Sequence, residues 1–168
     1  MEDQPYRVTF VCTGNICRSP VAEAVFRHQV ALAGLGETVA VDSSGTGGWH
    51  AGDGADRRAV RSLRGRGDAG VHRARQFQAD WFDRYDLILA LDSSHLSALR
   101  RLAPDAEARD RIRLLREFDP ATADTTVDLD VPDPYYGDET GFDHVLGLVE
   151  AACHGLLAHV REELAERG

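Results

Sequence analysis

The chain has 168 residues and a formal net charge of −9, and its 19 basic side chains are all arginine. That length suits one domain with an ordinary core, and the acidic balance argues against a nucleic-acid partner, because backbone phosphates are bound by basic surface. No apolar stretch approaches the roughly 20 residues that span a bilayer, and three cysteines without an apolar N-terminal signal segment point to a soluble protein of the reducing cytoplasm.

Short apolar runs alternate with helical patterns along the chain. Residues 7–11 read as a first strand. A helix is expected over 20–33, with Ser19 as its N-cap, Pro20 as its first residue, Val21, Val25 and Leu32 on one face, and Gly34-Leu35-Gly36 as its stop. Residues 38–41 form a second strand, followed by a glycine-rich loop over 45–54 that carries Trp49 and His50. A helix over 55–64 turns Ala59, Val60 and Leu63 inward, and a short helix near 79–82 precedes the clearest buried strand, 86–91. Asp92-Ser93-Ser94 caps a helix that runs to Leu102 and stops before Pro104. Residues 111–115 are a fourth strand, and the acidic, threonine-rich run 122–130 is a solvated loop. Over 142–166 a long amphipathic helix sets Val145, Val149, Ala152, Leu156, Val160 and Leu164 in helical register. Strands separated by helices pair in parallel through right-handed crossovers, which predicts an α/β fold: an open, mainly four-stranded parallel sheet with helices on both faces. The whole of 1–168 reads as one domain without internal repeats.

In such sheets ligands bind beyond the carboxyl ends of the strands, and the first strand ends at Cys12. There the chain reads Cys12-Thr13-Gly14-Asn15-Ile16-Cys17-Arg18-Ser19. A helix N-terminus beside a cation draws a thiol toward its thiolate, the form that attacks. Gly14 and Asn15 tolerate the left-handed angles that turn successive N–H groups inward as a nest for an oxyanion. Arg18 offers a planar fork that matches two phosphate oxygens, and the helix beyond adds its unpaired amides and dipole. Thr13, Gly14, Asn15, Ile16, Cys17, Arg18 and Ser19 are therefore the expected phosphate-binding loop around a nucleophilic Cys12. A zinc site needs about four N or S ligands; the nearest histidine, His28, lies on the following helix with no further cysteine near it, so no metal is expected. A Gly-x4-Gly-Lys phosphate loop is excluded, since the chain has no lysine.

Expelling a poor leaving group calls for a proton donor, which contributes about 10²- to 10⁴-fold. The candidate is Asp133, in Val131-Pro132-Asp133-Pro134-Tyr135-Tyr136-Gly137. Prolines on both sides stiffen this backbone and bias Asp133 away from helical angles, whereas a lone Asp-Pro is more often a plain acidic turn. The loop 12–19, the run His72-Arg73-Ala74-Arg75-Gln76 and the later Asp133-Pro134-Tyr135-Tyr136-Gly137 together resemble the low-molecular-weight protein tyrosine phosphatases. The lysine-free, arginine-rich composition resembles an actinobacterial member. The resemblance covers residues 8–164. Larger tyrosine phosphatases usually carry a histidine before the cysteine, where this chain has Val11.

The resemblance implies a flavodoxin-like strand order, 2-1-3-4, and hydrolysis of phosphotyrosine and small aryl phosphates through a phosphocysteine on Cys12. Arg18 would bind the phosphoryl oxygens, and Asp133 would act first as general acid and then as base on water. Ser19 would ease departure of the thiolate, Ser43 and His72 would support a left-handed Asn15, and Trp49, Tyr135 and Tyr136 would rim the aryl ring. Phosphotyrosine proteins are the implied partners, with inorganic phosphate as product and inhibitor, no cofactor, no nucleic acid, no membrane, and a monomeric state. Cys17 has two readings, a small apolar filler or the redox partner that forms a protective disulfide with Cys12, and the second is preferred. Cys153, on the last helix, is expected to be inert core. Arsenate reductase shares this fold and loop, but its thioredoxin-coupled class needs further cysteines after the third strand, and none lies between residues 83 and 110. A binding module that has lost catalysis is disfavoured because Cys12 and Asp133 are both present.

Overall fold

The computed structural model describes residues 4–69, 71–122 and 128–167. Four parallel strands, β1 (Tyr6–Cys12), β2 (Val39–Gly45), β3 (Leu87–Ala90) and β4 (Ile112–Leu114), lie in the order β2-β1-β3-β4. This is the predicted open α/β sheet with strand order 2-1-3-4. Side chains alternate along each strand, so the two central strands feed two separate cores. Val8, Phe10 and Cys12 face one core with Leu87 and Leu89, while Val11 faces the other with Ile88 and Ala90.

The first core is closed by α1 (Arg18–Leu32), α2 (Arg57–Leu63) and α5 (Glu139–Arg167). Val21, Val25 and Phe26 of α1 meet Ala59 and Leu63 of α2 and Val145, Val149, Leu156 and Val160 of α5 there. The second core is closed by α3 (Ser93–Leu102), α4 (Ala106–Asp110) and a 3-10 segment, Ala79–Arg84, through Leu99, Ala108 and Phe82. Phe77 ties this side together, its ring meeting Phe82 edge-on at 5.0 Å and Trp81 at 5.7 Å. Among the described residues no helix is long and apolar enough to cross a membrane.

Helix boundaries differ from the sequence pattern for identifiable reasons. Helix α1 starts at Arg18, with Cys17 in the cap position, so Ser19 is not the N-cap. The Ser19 hydroxyl is engaged instead with Cys12 and Asn15. Pro20 still falls within the first turn, where a missing N–H costs nothing. Leu32 is 76% exposed and does not share the inner face, which is carried by Val21, Ala22, Val25, Phe26 and Val30. Val60 is only partly buried against the first core. The helix expected over 55–64 is trimmed to Arg57–Leu63, because Asp56 caps it by accepting the Arg58 N–H at 2.8 Å. Helix α4, unanticipated from periodicity, is set up by Asp105 accepting the Ala108 N–H at 2.8 Å. Of the loop expected over 122–130, residues 123–127 lie outside the described residues.

Candidate active site

The loop between β1 and α1 forms because every awkward backbone position in it has a partner. Asn15 adopts φ 59°, a left-handed conformation, and is fully buried. Its amide nitrogen donates to the Ser19 hydroxyl at 2.9 Å and the Ser43 hydroxyl at 3.0 Å, and its side-chain oxygen accepts the Arg75 N–H at 3.0 Å. Its backbone carbonyl accepts from His72 Nε2 at 2.6 Å, which requires a proton on that nitrogen. Ser43 in turn donates to Glu23 at 2.5 Å. Strain of about 1–3 kcal/mol at a left-handed non-glycine residue is thus offset by bonds from β2, α1 and the 72–76 run. On the other flank Gly45 passes so close that a Cβ there would lie 2.5 Å from the Thr13 carbonyl oxygen, which only glycine permits.

Cys12 ends β1 with its sulfur 2.9 Å from the Ser19 hydroxyl. Cys17 is buried beside it, and burial together with the nearby Asp56 carboxylate pushes its thiol up to about 12, so it is held protonated. Cys153 is wholly buried within the first core, where burial, with a smaller contribution from Glu150, raises its thiol.

Arg18 is 3% exposed, and one edge of its guanidinium is fixed. Nη1 donates to Asp92 at 2.7 Å and to the Val131 carbonyl at 2.9 Å. Nη2 faces His95 Nε2 at 3.5 Å and Asp133 Oδ2 at 3.6 Å. Asp92 caps α3 and pairs with Arg18 at once. Burial opposes its ionisation, but hydrogen bonds from Ser94 and Arg18 outweigh that and draw its carboxyl down to about 2. His95 is buried beneath the loop with Nε2 2.8 Å from the Thr13 hydroxyl, and burial lowers it to about 4, keeping it neutral. With Nη1 fixed, the guanidinium presents Nη2, held only by these two longer contacts, as the edge that could engage an anion.

Asp133 and Arg18 share a cleft of about 210 Å³ with Cys12, Gly14, Ile16, Trp49, Tyr135 and Tyr136. The Asp133 Oδ1 accepts the Tyr135 N–H at 3.1 Å, which leaves Oδ2 turned to Arg18. Trp49 is 78% exposed and Tyr136 92% exposed, so the rim has apolar surface that a bound ring would bury. Tyr135 meets Tyr136 edge-on at 4.9 Å. His50, expected only as a loop residue, lines the cleft and packs so closely on Gly14 that a Cβ there would lie 2.8 Å from its ring.

The residues expected from sequence, 12–19 with Ser43, His72, Trp49, Asp133, Tyr135 and Tyr136, therefore surround or support one cleft. Asp92, His95, Glu23 and Arg75 were not anticipated as part of it. Asp92 carried a signal, since it stands just past the carboxyl end of β3, next to the end of β1, where ligands of such sheets bind.

A family model described as low molecular weight phosphotyrosine protein phosphatase matches residues 7–166. A low molecular weight protein-tyrosine-phosphatase of Streptomyces coelicolor is 60% identical over 162 residues, 96% of this chain and 98% of that protein. Low molecular weight protein-tyrosine phosphatase A of Mycobacterium tuberculosis is 48% identical over 164 residues, covering 98% and 97%. Both agree with the actinobacterial resemblance. Among solved structures, a protein tyrosine phosphatase of Entamoeba histolytica with Hepes in its active site superposes with a TM-score of 0.85 at 34% identity, covering 94% of this chain and 98% of that one. YfkJ of Bacillus subtilis also gives 0.85, at 37% identity and with 95% and 97% covered.

Proposed function

The chain belongs to the low molecular weight phosphotyrosine protein phosphatases and is a phosphatase, and on that premise we propose that residues 1–168 form one domain hydrolysing phosphotyrosine through a phosphocysteine. The Cys12 thiolate attacks phosphorus, and the bond from phosphorus to the tyrosyl oxygen breaks. Asp133 gives its proton to the departing phenol. Water then attacks the phosphocysteine, Asp133 takes a proton from it, and the P–S bond breaks to release inorganic phosphate and regenerate the thiolate. Arg18 and the loop amides carry the phosphoryl oxygens through both steps, and Ser19, 2.9 Å from the sulfur, donates to the leaving thiolate.

The observation that carries this reading is the 3.6 Å approach of Asp133 to an otherwise fixed Arg18, over the loop that holds Cys12. A carboxyl there stands on the leaving-group side of a phosphate held by the same guanidinium. The exposed Trp49 and Tyr136 favour an aryl ester over phosphoserine, whose shorter reach leaves phosphorus outside the loop. Phosphotyrosine proteins are the substrates in this reading, inorganic phosphate is product and inhibitor, and the enzyme works as a cytoplasmic monomer. Once a peroxide has oxidised the Cys12 thiolate to a sulfenic acid, releasing hydroxide, Cys17 is the thiol available to condense with it, giving a disulfide and water.

Turnover of p-nitrophenyl phosphate by wild type and Cys12→Ser tests the central step. Wild type is expected to turn over and the variant to fall by at least about 10³-fold, as for loss of a nucleophile. An inactive wild type or an undiminished variant would remove the phosphocysteine mechanism.

A further inference from the structure

The Asp133 segment is tied to the rest of the molecule differently at its two ends. On the amino side the Val131 N–H donates to the Leu91 carbonyl at 2.8 Å, and Arg116 donates to the carbonyls of Asp128 and Asp130 at 2.7 and 3.0 Å. On the carboxyl side, among the described residues, the hydrogen bonds of 134–137 to other elements both come from Arg58 of α2. Its Nη1 donates to the Gly137 carbonyl and its Nη2 to the Tyr135 carbonyl, each at 2.8 Å. We propose that Arg58 is a positioning residue for catalysis, which holds Asp133 at its working height above the anion loop.

Three contacts fix the guanidinium itself. Asp56 accepts from Nε at 3.1 Å and from Nη2 at 3.0 Å, and the guanidinium carbon lies over the Phe142 ring, 4.7 Å from its centroid. The hydrogen bonds from Arg58 keep the Asp56 carboxyl below its ordinary range, so it stays ionised. Asp56 is anchored to the anion loop in turn, because its own N–H donates to the Ile16 carbonyl at 2.8 Å. A continuous path therefore runs from the loop around Cys12, through Asp56 and Arg58, to the Tyr135 backbone.

That path ends on the acid. The Tyr135 N–H is the donor that holds Asp133 Oδ1 at 3.1 Å and so turns Oδ2 inward. Arg58 fixes Tyr135 by its carbonyl, and Tyr135 fixes the carboxyl by its amide. Two carbonyls at a set spacing need a planar fork, which arginine has and lysine lacks. A carboxyl only about 1 Å out of place loses much of its value as a proton donor.

This inference rests on the reading of Asp133 as general acid, and the experiment separates the two. The kcat/KM of wild type, Arg58→Ala, Arg58→Lys, Asp133→Asn and the Arg58→Ala, Asp133→Asn double variant is measured on aryl phosphates whose phenols range from good to poor leaving groups. For Arg58→Ala the expected loss is roughly 10-fold with phenyl phosphate against about 2-fold with p-nitrophenyl phosphate, part of the ~10²- to 10⁴-fold that proton donation contributes. Arg58→Lys is expected to follow Arg58→Ala, and Arg58→Ala is expected to add no further gradient in the Asp133→Asn background. A merely structural arginine would lower all substrates alike, so uniform losses, or none, in both Arg58 variants beside a steep gradient in Asp133→Asn overturn the proposal. A flat series for Asp133→Asn itself overturns the general-acid reading, and this inference with it. If Arg58→Ala does not fold, Arg58→Lys carries the same comparison.

Discussion

At the scale of single residues, the buried neutral His95 makes a prediction about acid stability. Its ring faces Asp92, Arg18, Asp133 and Asp130, yet burial dominates and lowers it from 6.5 to about 4. The unfolded chain takes up this proton below pH 6.5 while the folded one refuses it down to about 4, so stability is full above 6.5 and declines as pH falls through that window. Between pH 7 and 5 the loss from this group is about 2 kcal/mol by linkage. Urea unfolding at the two pH values should therefore show a smaller drop in His95→Gln than in wild type, by about that amount; equal drops would mean that the imidazole is not held neutral. The same residue marks the limit of what its sequence disclosed. Residues 12–19 are contiguous, and Cys12, Gly14, Asn15 and Arg18 among them have types whose chemistry points to an anion, so the loop was legible without a structure. His95 and Asp92 become part of the site only because β3 pairs with β1 and brings the start of α3 beneath Arg18. On their own segment they form a capping box, with Asp92 accepting the His95 N–H, and that local role conceals the other.

At the scale of elements, periodicity identified the strands and the long helices because burial on one face imposes it, and it failed where local capping decides. Ser19 looked like a cap and serves the sulfur instead, while Asp105 and Asp138 start α4 and α5 without any apolar signal. Two of the three glycines in helix α5, Gly147 and Gly155, look alike in the sequence but differ in their surroundings. Gly147 has open space where a Cβ would go, but Gly155 packs directly on the carbonyl of Phe118, so a Cβ there would run into backbone. Alanine is the better helix former by about 1 kcal/mol. Gly147→Ala should therefore stabilise by up to that amount, whereas Gly155→Ala should destabilise by roughly 1–3 kcal/mol through overpacking against the 3-10 segment Leu115–Phe118. Denaturant midpoints of the two variants give the check. Shifts of the same sign would mean that α5 has room to move away from that segment, and that its tight seat on the first core is not what fixes its position.

At the scale of the whole molecule, a dianion must approach a protein whose formal net charge is −9. The attraction is local and recessed: Arg18 is 3% exposed, and Arg58 is paired with Asp56. Asp133, which lines the cleft, remains 47% exposed, and exposed Asp53 pairs with His50, another lining residue. The long-range field therefore opposes encounter even though, in the proposed reading, the loop binds the phosphate on contact. Such a field reaches about 30 Å at 0.01 M salt but only about 10 Å at 0.1 M, so salt should discriminate between the two effects. Two phosphotyrosine peptides of equal length, one flanked by arginines and one by glutamates, provide the comparison. At about 0.01 M salt the basic peptide is expected to have a kcat/KM on the order of 10-fold higher, since steering changes encounter rates by 10-fold or more. As salt rises toward about 0.5 M the advantage should shrink to within about 3-fold, because screening removes the field and leaves the rim contacts. A preference for the acidic peptide, or a basic preference that salt does not erode, would place selectivity in direct contacts at Trp49, His50 and the tyrosine pair. The expected outcome instead makes the acidic surface a filter that acts before any side chain of the cleft touches the substrate.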